Sequence, residues 1–383
     1  MISCSKIFKG ERTEHTQRKK GPLFVWNVTS RCNLQCGHCY RDASSGNGAD
    51  DLTDQNCLNF IREIKELNPP IVLLTGGEPL LRGNIFDIIR VCRDEGLSVG
   101  LSTNGTLINP DMAKKIQDAG VSYVGISIDG NKEAHDRFRR ADGSWEASWQ
   151  GIESLNKHGV KTGVRFTLTA ANRHDLNAVL AKTVISGTKR FCLYHLVYAG
   201  RAAAEQDMTV EEKRLCMEGF FKKIREILAV DPEFDVLTTD SPADGVFMLG
   251  MVNNKKDALA CITSHKGCSA GDRVVYIDSN GDVFPCQFLR EYPLGNILEE
   301  PLIEIWQNTR NDLLLQLRDK QSYVEGKCGI CRHKHICGGC RARAQAYHGS
   351  LWAEDPGCYL TEGEVTPQFL RRPRKTEKQV VGV

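Results

Sequence analysis

The chain has 383 residues with 50 Lys+Arg against 48 Asp+Glu, and so even a charge balance gives no support for a general nucleic-acid or anionic-membrane surface. Hydrophobic residues make up 41% and charged residues 26%, which excludes a largely disordered chain; at this length one large domain plus a smaller one is expected. No apolar run reaches the roughly 20 residues of a membrane-spanning helix, and the opening MISCSKIFKGERTEHTQRKK lacks a secretory apolar stretch, which points to the cytoplasm.

After an N-terminal tail over residues 1–21, Leu23–Val28 reads as a short buried strand. Asp54–Leu67 follows at helical spacing, then the apolar run Ile71–Leu74. The alternation repeats with helix Asn84–Glu95, strand Ser98–Leu101, helix Pro110–Ala119 and strand Tyr123–Ile128. It continues with helix Ser148–His158, strand Thr162–Leu168, helix His174–Ser186 and strand Arg190–Val197. Six apolar strands separated by helices predict a parallel sheet covered by helices. Polar or Gly-bearing segments follow the first four strands, and chemistry on successive strand ends is how βα barrels build sites. The fold expected is therefore α/β: a partial, six-stranded TIM-type barrel over residues 22–230. Residues 231–257, with Pro232 and Pro242, read as an irregular bridge. A small cysteine-rich module over 258–362 contains a hairpin, Val274–Asp278 and Asp282–Pro285, around Ser279-Asn280-Gly281. Residues 363–383 form a basic tail with Arg371, Arg372, Arg374 and Lys375.

Sixteen cysteines are the unusual feature. Cys4, Cys57, Cys92, Cys192 and Cys216 are scattered and read as small core hydrophobes. Cys32, Cys36 and Cys39 fall in one loop, and three thiolates so close together suggest a soft metal site. A four-iron cluster held by three cysteines leaves one iron open; a zinc site would want a fourth ligand, and His38 beside Cys39 is poorly placed to be it. The spacing alone favours the cluster without excluding zinc. Cys328-x2-Cys331-x5-Cys337-x2-Cys340 would pass in isolation for a zinc knuckle. Cys261, Cys268, Cys286 and Cys358 bring that group to eight thiolates, enough for two four-cysteine sites.

The run Arg31-Cys32-Asn33-Leu34-Gln35-Cys36-Gly37-His38-Cys39-Tyr40 closely resembles the signature loop of the radical S-adenosylmethionine (SAM) superfamily. Thr75-Gly76-Gly77-Glu78-Pro79, Ser102-Thr103-Asn104-Gly105 and Ser127-Ile128-Asp129-Gly130 resemble its later strand-end motifs, in the right order. The resemblance implies a [4Fe-4S] cluster on Cys32, Cys36 and Cys39 whose open iron takes the amino and carboxylate groups of SAM. It implies that Gly76 and Gly77 let the backbone approach the methionyl end and that Glu78 braces their turn. Ser102 and Asn104 would bond the ribose, Ser127 and Arg165 the carboxylate, and His38 would pack near the adenine. The C-terminal cysteines resemble the SPASM extension, which carries auxiliary clusters. One or two such clusters are implied, with Cys261, Cys268, Cys286 and Cys340 on the nearer and Cys328, Cys331, Cys337 and Cys358 on the outer. Asp282, Gln287 and Arg341 would lie near them. Gln287 stands where sulfatase-maturing relatives place an aspartate base, and Gln cannot take a proton at neutral pH, which disfavours that activity.

Phe191–Arg201 (FCLYHLVYAGR) and Leu237–Val246 (LTTDSPADGV) resemble segments of the radical SAM enzymes of haem d1 biosynthesis and of the siroheme-to-haem route. These imply a siroheme-derived tetrapyrrole substrate, with His195, Tyr194 and Tyr198 at the barrel mouth. His195 would serve as iron ligand, acid/base or structural residue. The alternatives are a peptide or protein maturase of the SPASM class and an iron–sulfur carrier without catalysis. A flavodoxin- or ferredoxin-type electron donor is the expected partner; nucleic acid and membrane are not expected.

Overall fold

The strands are β1 (Ile2–Ser3), β2 (Leu23–Asn27), β3 (Val72–Thr75), β4 (Val99–Thr103), β5 (Tyr123–Ser127), β6 (Thr162–Leu168), β7 (Arg190–His195), β8 (Asp235–Thr239), β9 (Val274–Ile277), β10 (Asp282–Phe284) and β11 (Gly295–Asn296). A computed structural model describes residues 1–11, 21–46 and 48–366 of the chain, so the basic tail with Arg371, Arg372, Arg374 and Lys375 lies outside the described residues. Among the described residues the eleven strands form one sheet in the order β1-β8-β7-β6-β5-β4-β3-β2-β9-β10-β11. From β2 to β8 each strand runs parallel to the next, with helices in the crossovers. Among the described residues no helix is long and apolar enough to cross a membrane.

Side-chain alternation along the strands separates two environments. One parity (Val72 and Leu74, Val99 and Leu101, Val124 and Ile126, Val164 and Phe166) is fully buried in the main apolar core. The other parity (Leu73, Ser102, Ser127, Arg165, Tyr194, Thr239) lines the interior cavities of the barrel. Small residues on this inner face make room for large ones. A Cβ on Gly163 would lie 2.2 Å from the Tyr123 hydroxyl.

Two expectations need correction. Residues 1–21 are not all tail: Ile2 and Ser3 pair antiparallel with Thr238 and Leu237 of β8, and Cys4–Lys9 is a helix with Cys4 and Ile7 buried. Six residues are too few to display helical periodicity in the sequence. The expected bridge at 231–257 contains β8, a seventh parallel strand, and the helix Ala243–Leu249. Pro232 and Pro242 suggested an irregular path, but both fall outside the strand they flank.

The C-terminal hairpin forms with Val283 opposite Ile277. Its first strand, β9, also adds parallel to β2, with Phe24 opposite Val275. The cysteine-rich segment is thereby hydrogen-bonded into the barrel sheet.

Candidate active site

The first cysteine loop leaves the end of β2 and is held on several sides. Asp51 accepts from the Thr29 hydroxyl at 2.5 Å and from the Ser30 amide at 2.9 Å. Gly37 N donates to Phe138 O at 2.9 Å, and Arg201 N to Cys39 O at 3.0 Å. The Arg201 Nε donates to Cys36 O at 2.8 Å. Cys32 and Cys36 are buried. Burial pushes the Cys32 thiol up to about 12, so metal loading must displace its proton. Burial also raises Cys36, opposed by Arg139, whose Nη1 donates to the sulfur at 3.5 Å. Three soft sulfur donors beside a cation and a cavity fit an iron–sulfur cluster.

A cavity of about 150 Å³ opens beside this loop. Cys32, Cys36, His38, Cys39, Gly76, Gly77, Ser102, Asn104, Ser127, Arg165 and His195 all reach its wall. The structure thus brings together every residue that the motifs suggested for the cluster and SAM except Glu78, which lies behind the wall. Its fully buried carboxylate accepts from Leu80 N, Thr103 Oγ1 and Asn104 N, at 3.2, 2.7 and 2.9 Å. Glu78 ties the turn after β3 to the turn after β4.

The glycine pair, which lines the cavity, carries a further constraint. A Cβ on Gly76 would lie 2.4 Å from Thr29 O, and one on Gly77 2.1 Å from Arg31 O. Gly77 N also donates to Thr29 O at 2.8 Å and Glu78 N to Arg31 O at 2.7 Å. The close approach that demands glycine here is that of the cysteine loop's own backbone. Asn104, for its part, spends its amide within the protein, donating to Asn33 at 2.9 Å and accepting from Thr106 N at 2.9 Å.

His38 stacks on Phe138 with ring centroids 4.0 Å apart. Burial, then Arg139 and Arg201, hold its pKa well below the usual imidazole range, so it is neutral near pH 7. Behind it Asp129 and Arg139 form a buried ion pair. Arg139 and Arg201 escaped the sequence reading, although Arg201 ends the segment FCLYHLVYAGR and Asp129 stands in Ser127-Ile128-Asp129-Gly130.

His195, at the end of β7, is buried with Nε2 2.9 Å from Asp244 Oδ2. Tyr359 donates its hydroxyl to the other oxygen of Asp244 at 2.6 Å. With Nε2 so engaged, Nδ1 is buried without a partner. Tyr194 lies under the Arg165 guanidinium at 4.6 Å. Tyr198 does not face the mouth: its hydroxyl donates to Asp207 at 2.8 Å, because the chain has already left β7.

A second cavity of about 760 Å³ shares Arg165, Tyr194, Asp240 and Gln287 with the first and reaches Cys268, Cys286 and Cys340. These three cysteines lie in one apolar cluster. Burial holds Cys286 well above the ordinary thiol value, and Cys268 and Cys340 add to this. Cys337 is raised in the same way by burial, then by Cys358, Cys328 and Cys331, so those four are also neighbours.

Cys261 joins neither group. It is fully buried in the helix Lys255–His265, which packs on the helix Cys4–Lys9, and its charged neighbours are Lys6 and Glu11. The SPASM resemblance implied a ligand here; the helix turns this thiol toward an apolar interface instead. Cys261→Ser is therefore expected to leave the iron content of reconstituted protein unchanged. A loss of about four irons would show that this helix yields its cysteine when a cluster is loaded.

The Radical SAM superfamily pattern matches residues 26–182, and that of the SPASM iron-sulfur cluster-binding domain matches 268–333. The chain is 34% identical over 359 residues to the Fe-coproporphyrin III synthase of Methanosarcina barkeri, covering 91% of this chain and 90% of that protein. It is 34% identical over 353 residues to the pre-heme d1 synthase of Dinoroseobacter shibae, covering 90% of this chain and 87% of the other. Its fold matches that of Streptococcus suis SuiB, solved with the precursor peptide SuiA, with a TM-score of 0.70 at 18% identity, over 92% of this chain and 77% of that one. The cysteine loop, the strand-end cavity and these similarities together establish that the chain belongs to the radical SAM superfamily, as an enzyme with a SPASM domain that uses SAM and iron–sulfur clusters.

Proposed function

We propose that this enzyme abstracts hydrogen from a side chain of a carboxylate-bearing, siroheme-derived tetrapyrrole. The observation that carries the reading is the larger cavity, where Lys6, Arg165 and Arg273 face it with Asp240 as the opposing acid, while Arg190 is paired with Asp235 at 2.7 Å. Arg165, where the two cavities meet, makes no ion pair among the described residues and rests on the Tyr194 ring. A basic chamber with aromatic walls suits a flat polyanion. The relatives named as Fe-coproporphyrin III and pre-heme d1 synthases, which align over most of this chain, support the same substrate class.

Cys32, Cys36 and Cys39 would hold the cluster, which with SAM would supply the hydrogen-abstracting radical chemistry. The chain's own part is positional. Ser127 and Arg165 would hold the SAM carboxylate where the two cavities meet, which leaves Lys6 and Arg273 as the chamber's cations for the substrate acids. His195, oriented by Asp244, stands in the wall with Nδ1 as the nitrogen left for a proton or an iron. Cys268, Cys286 and Cys340 would hold the nearer auxiliary cluster beside the chamber, and Cys328, Cys331, Cys337 and Cys358 the outer one. A flavodoxin or ferredoxin would deliver the electrons. The sixteen unpaired cysteines suit a reducing cytoplasm.

The test mixes reduced, reconstituted protein with SAM and a siroheme-derived macrocycle under anaerobic conditions. The expected result is a shift of the macrocycle's main absorption band on binding, then 5′-deoxyadenosine and a product lighter by the side-chain carbons. A macrocycle that neither shifts nor changes mass overturns the proposal.

A further inference from the structure

Arg341 is fully buried at the start of the helix Arg341–His348. Its Nη1 donates to Leu351 O and Ala353 O, both at 2.7 Å, which fixes the plane of the guanidinium. Its Nη2 points at Cys328 Sγ, 3.6 Å away. The same sulfur lies 3.4 Å from Asp355 N. The nearby carboxylate of Asp355 is taken by Arg343, which meets both of its oxygens at 2.8 and 3.0 Å. Arg341 forms no ion pair of its own among the described residues, and its Nε is buried without a partner. A guanidinium is costly to bury without a counter-charge, and the partner that the geometry offers it is the Cys328 sulfur, which would be a thiolate once it holds iron.

The first cysteine loop has a parallel contact with a different charge balance. Arg139 donates to Cys36 Sγ, yet it is paired with the buried carboxylate of Asp129. That pair presents little net charge to its sulfur, whereas Arg341 presents a whole positive one. Hydrogen bonds to the sulfurs and local net charge are what a protein uses to set a cluster's potential, and a cation favours the reduced, more negative state.

We propose that Arg341 raises the reduction potential of the outer auxiliary cluster above that of the first cluster, making the outer site the better electron acceptor of the two. The inference rests on the reading that Cys328, Cys331, Cys337 and Cys358 hold a cluster. It assigns Arg341 a tuning role that acts through Cys328, with no contact to substrate.

The experiment is an anaerobic redox titration of the full reconstituted chain, followed by electron paramagnetic resonance, with iron counted in parallel. Arg341→Gln, with wild-type iron, should move the outer cluster's midpoint to a more negative potential and leave that of the first cluster where it was. An unchanged midpoint at full iron content overturns the inference and leaves the cluster assignment standing. If the Gln variant loses iron, Arg341→Lys decides. Its ammonium keeps the charge but lacks the planar fork that reaches two carbonyls and the sulfur together, so its midpoint should fall by a smaller amount. A Lys variant whose midpoint moves to a more positive potential, or a wild-type outer cluster whose midpoint lies at or below that of the first cluster, overturns the inference. Wild-type protein with no cluster on these cysteines overturns both the inference and the reading beneath it.

Discussion

Replacing Cys32, Cys36 and Cys39 together by Ala is expected to abolish SAM cleavage and to lower bound iron by about four per chain. The rest of the protein should stay folded, because the loop is held by groups other than its thiols. Asp51 anchors its start, Phe138 O accepts from Gly37, and Arg201 bonds the carbonyl of Cys36. The check is iron content, 5′-deoxyadenosine formation and a thermal melt on one preparation. Iron falling to zero would show instead that the auxiliary sites cannot be loaded without the first. Undiminished 5′-deoxyadenosine formation would mean that the loop is not where SAM is cleaved.

Gly77→Ala should have an effect nearly as large, by a steric route. The added Cβ would lie 2.1 Å from the Arg31 carbonyl oxygen, and both partners are backbone, so no side chain can swing away. Relief requires the turn after β3 to part from the cysteine loop. That breaks the Gly77–Thr29 and Glu78–Arg31 hydrogen bonds, worth roughly 0.5–1.5 kcal/mol each. The expected outcome is loss of first-cluster iron and of SAM cleavage together. Gly83→Ala, with nothing within 4 Å of its Cβ, is the control and should behave as wild type. A Gly77→Ala protein with full iron that no longer cleaves SAM would return the glycine to the methionyl site.

The contact between that turn and the cysteine loop is of a kind that the sequence does not display. The alternation of apolar strands and helices is visible because each crossover is local, and the strand-end motifs are visible because every loop that builds the mouth is contiguous. Ser102, Ser127 and Arg165 could therefore be found and do reach one cavity. Contacts between distant segments leave no such trace. Arg201 bonds Cys36 from 165 positions away and Arg139 from 103. Nothing near Arg139 separates it from a surface arginine, and Arg201 has only its place at the end of FCLYHLVYAGR. The carry-over from the SPASM resemblance fails in the same way for Cys261: a cysteine seven residues before Cys268 suits a ligand set or an apolar helix face equally well, and only the packing against Cys4–Lys9 decides. The strand β8 was missed because five residues between two prolines carry too little alternation to stand out.

The pairing of β2 with β9 also dictates an order of events during synthesis. Leu23 finds its partner Val274 only after 251 further residues have been made, which at roughly 5–20 residues per second takes on the order of 12–50 s. Until then β2 can pair with β3 alone, and its other edge, next to the loop that carries Cys32, Cys36 and Cys39, stays open. Pairings so distant in sequence are slow to form, and an exposed strand edge is a template for wrong partners. The nascent chain therefore passes through a long interval in which three thiols are available to solvent beside an unfinished sheet. Delivery of iron and sulfide before the last strands arrive would risk a cluster bound in an open, oxidisable setting. Delivery afterwards would have to reach the loop through the barrel mouth.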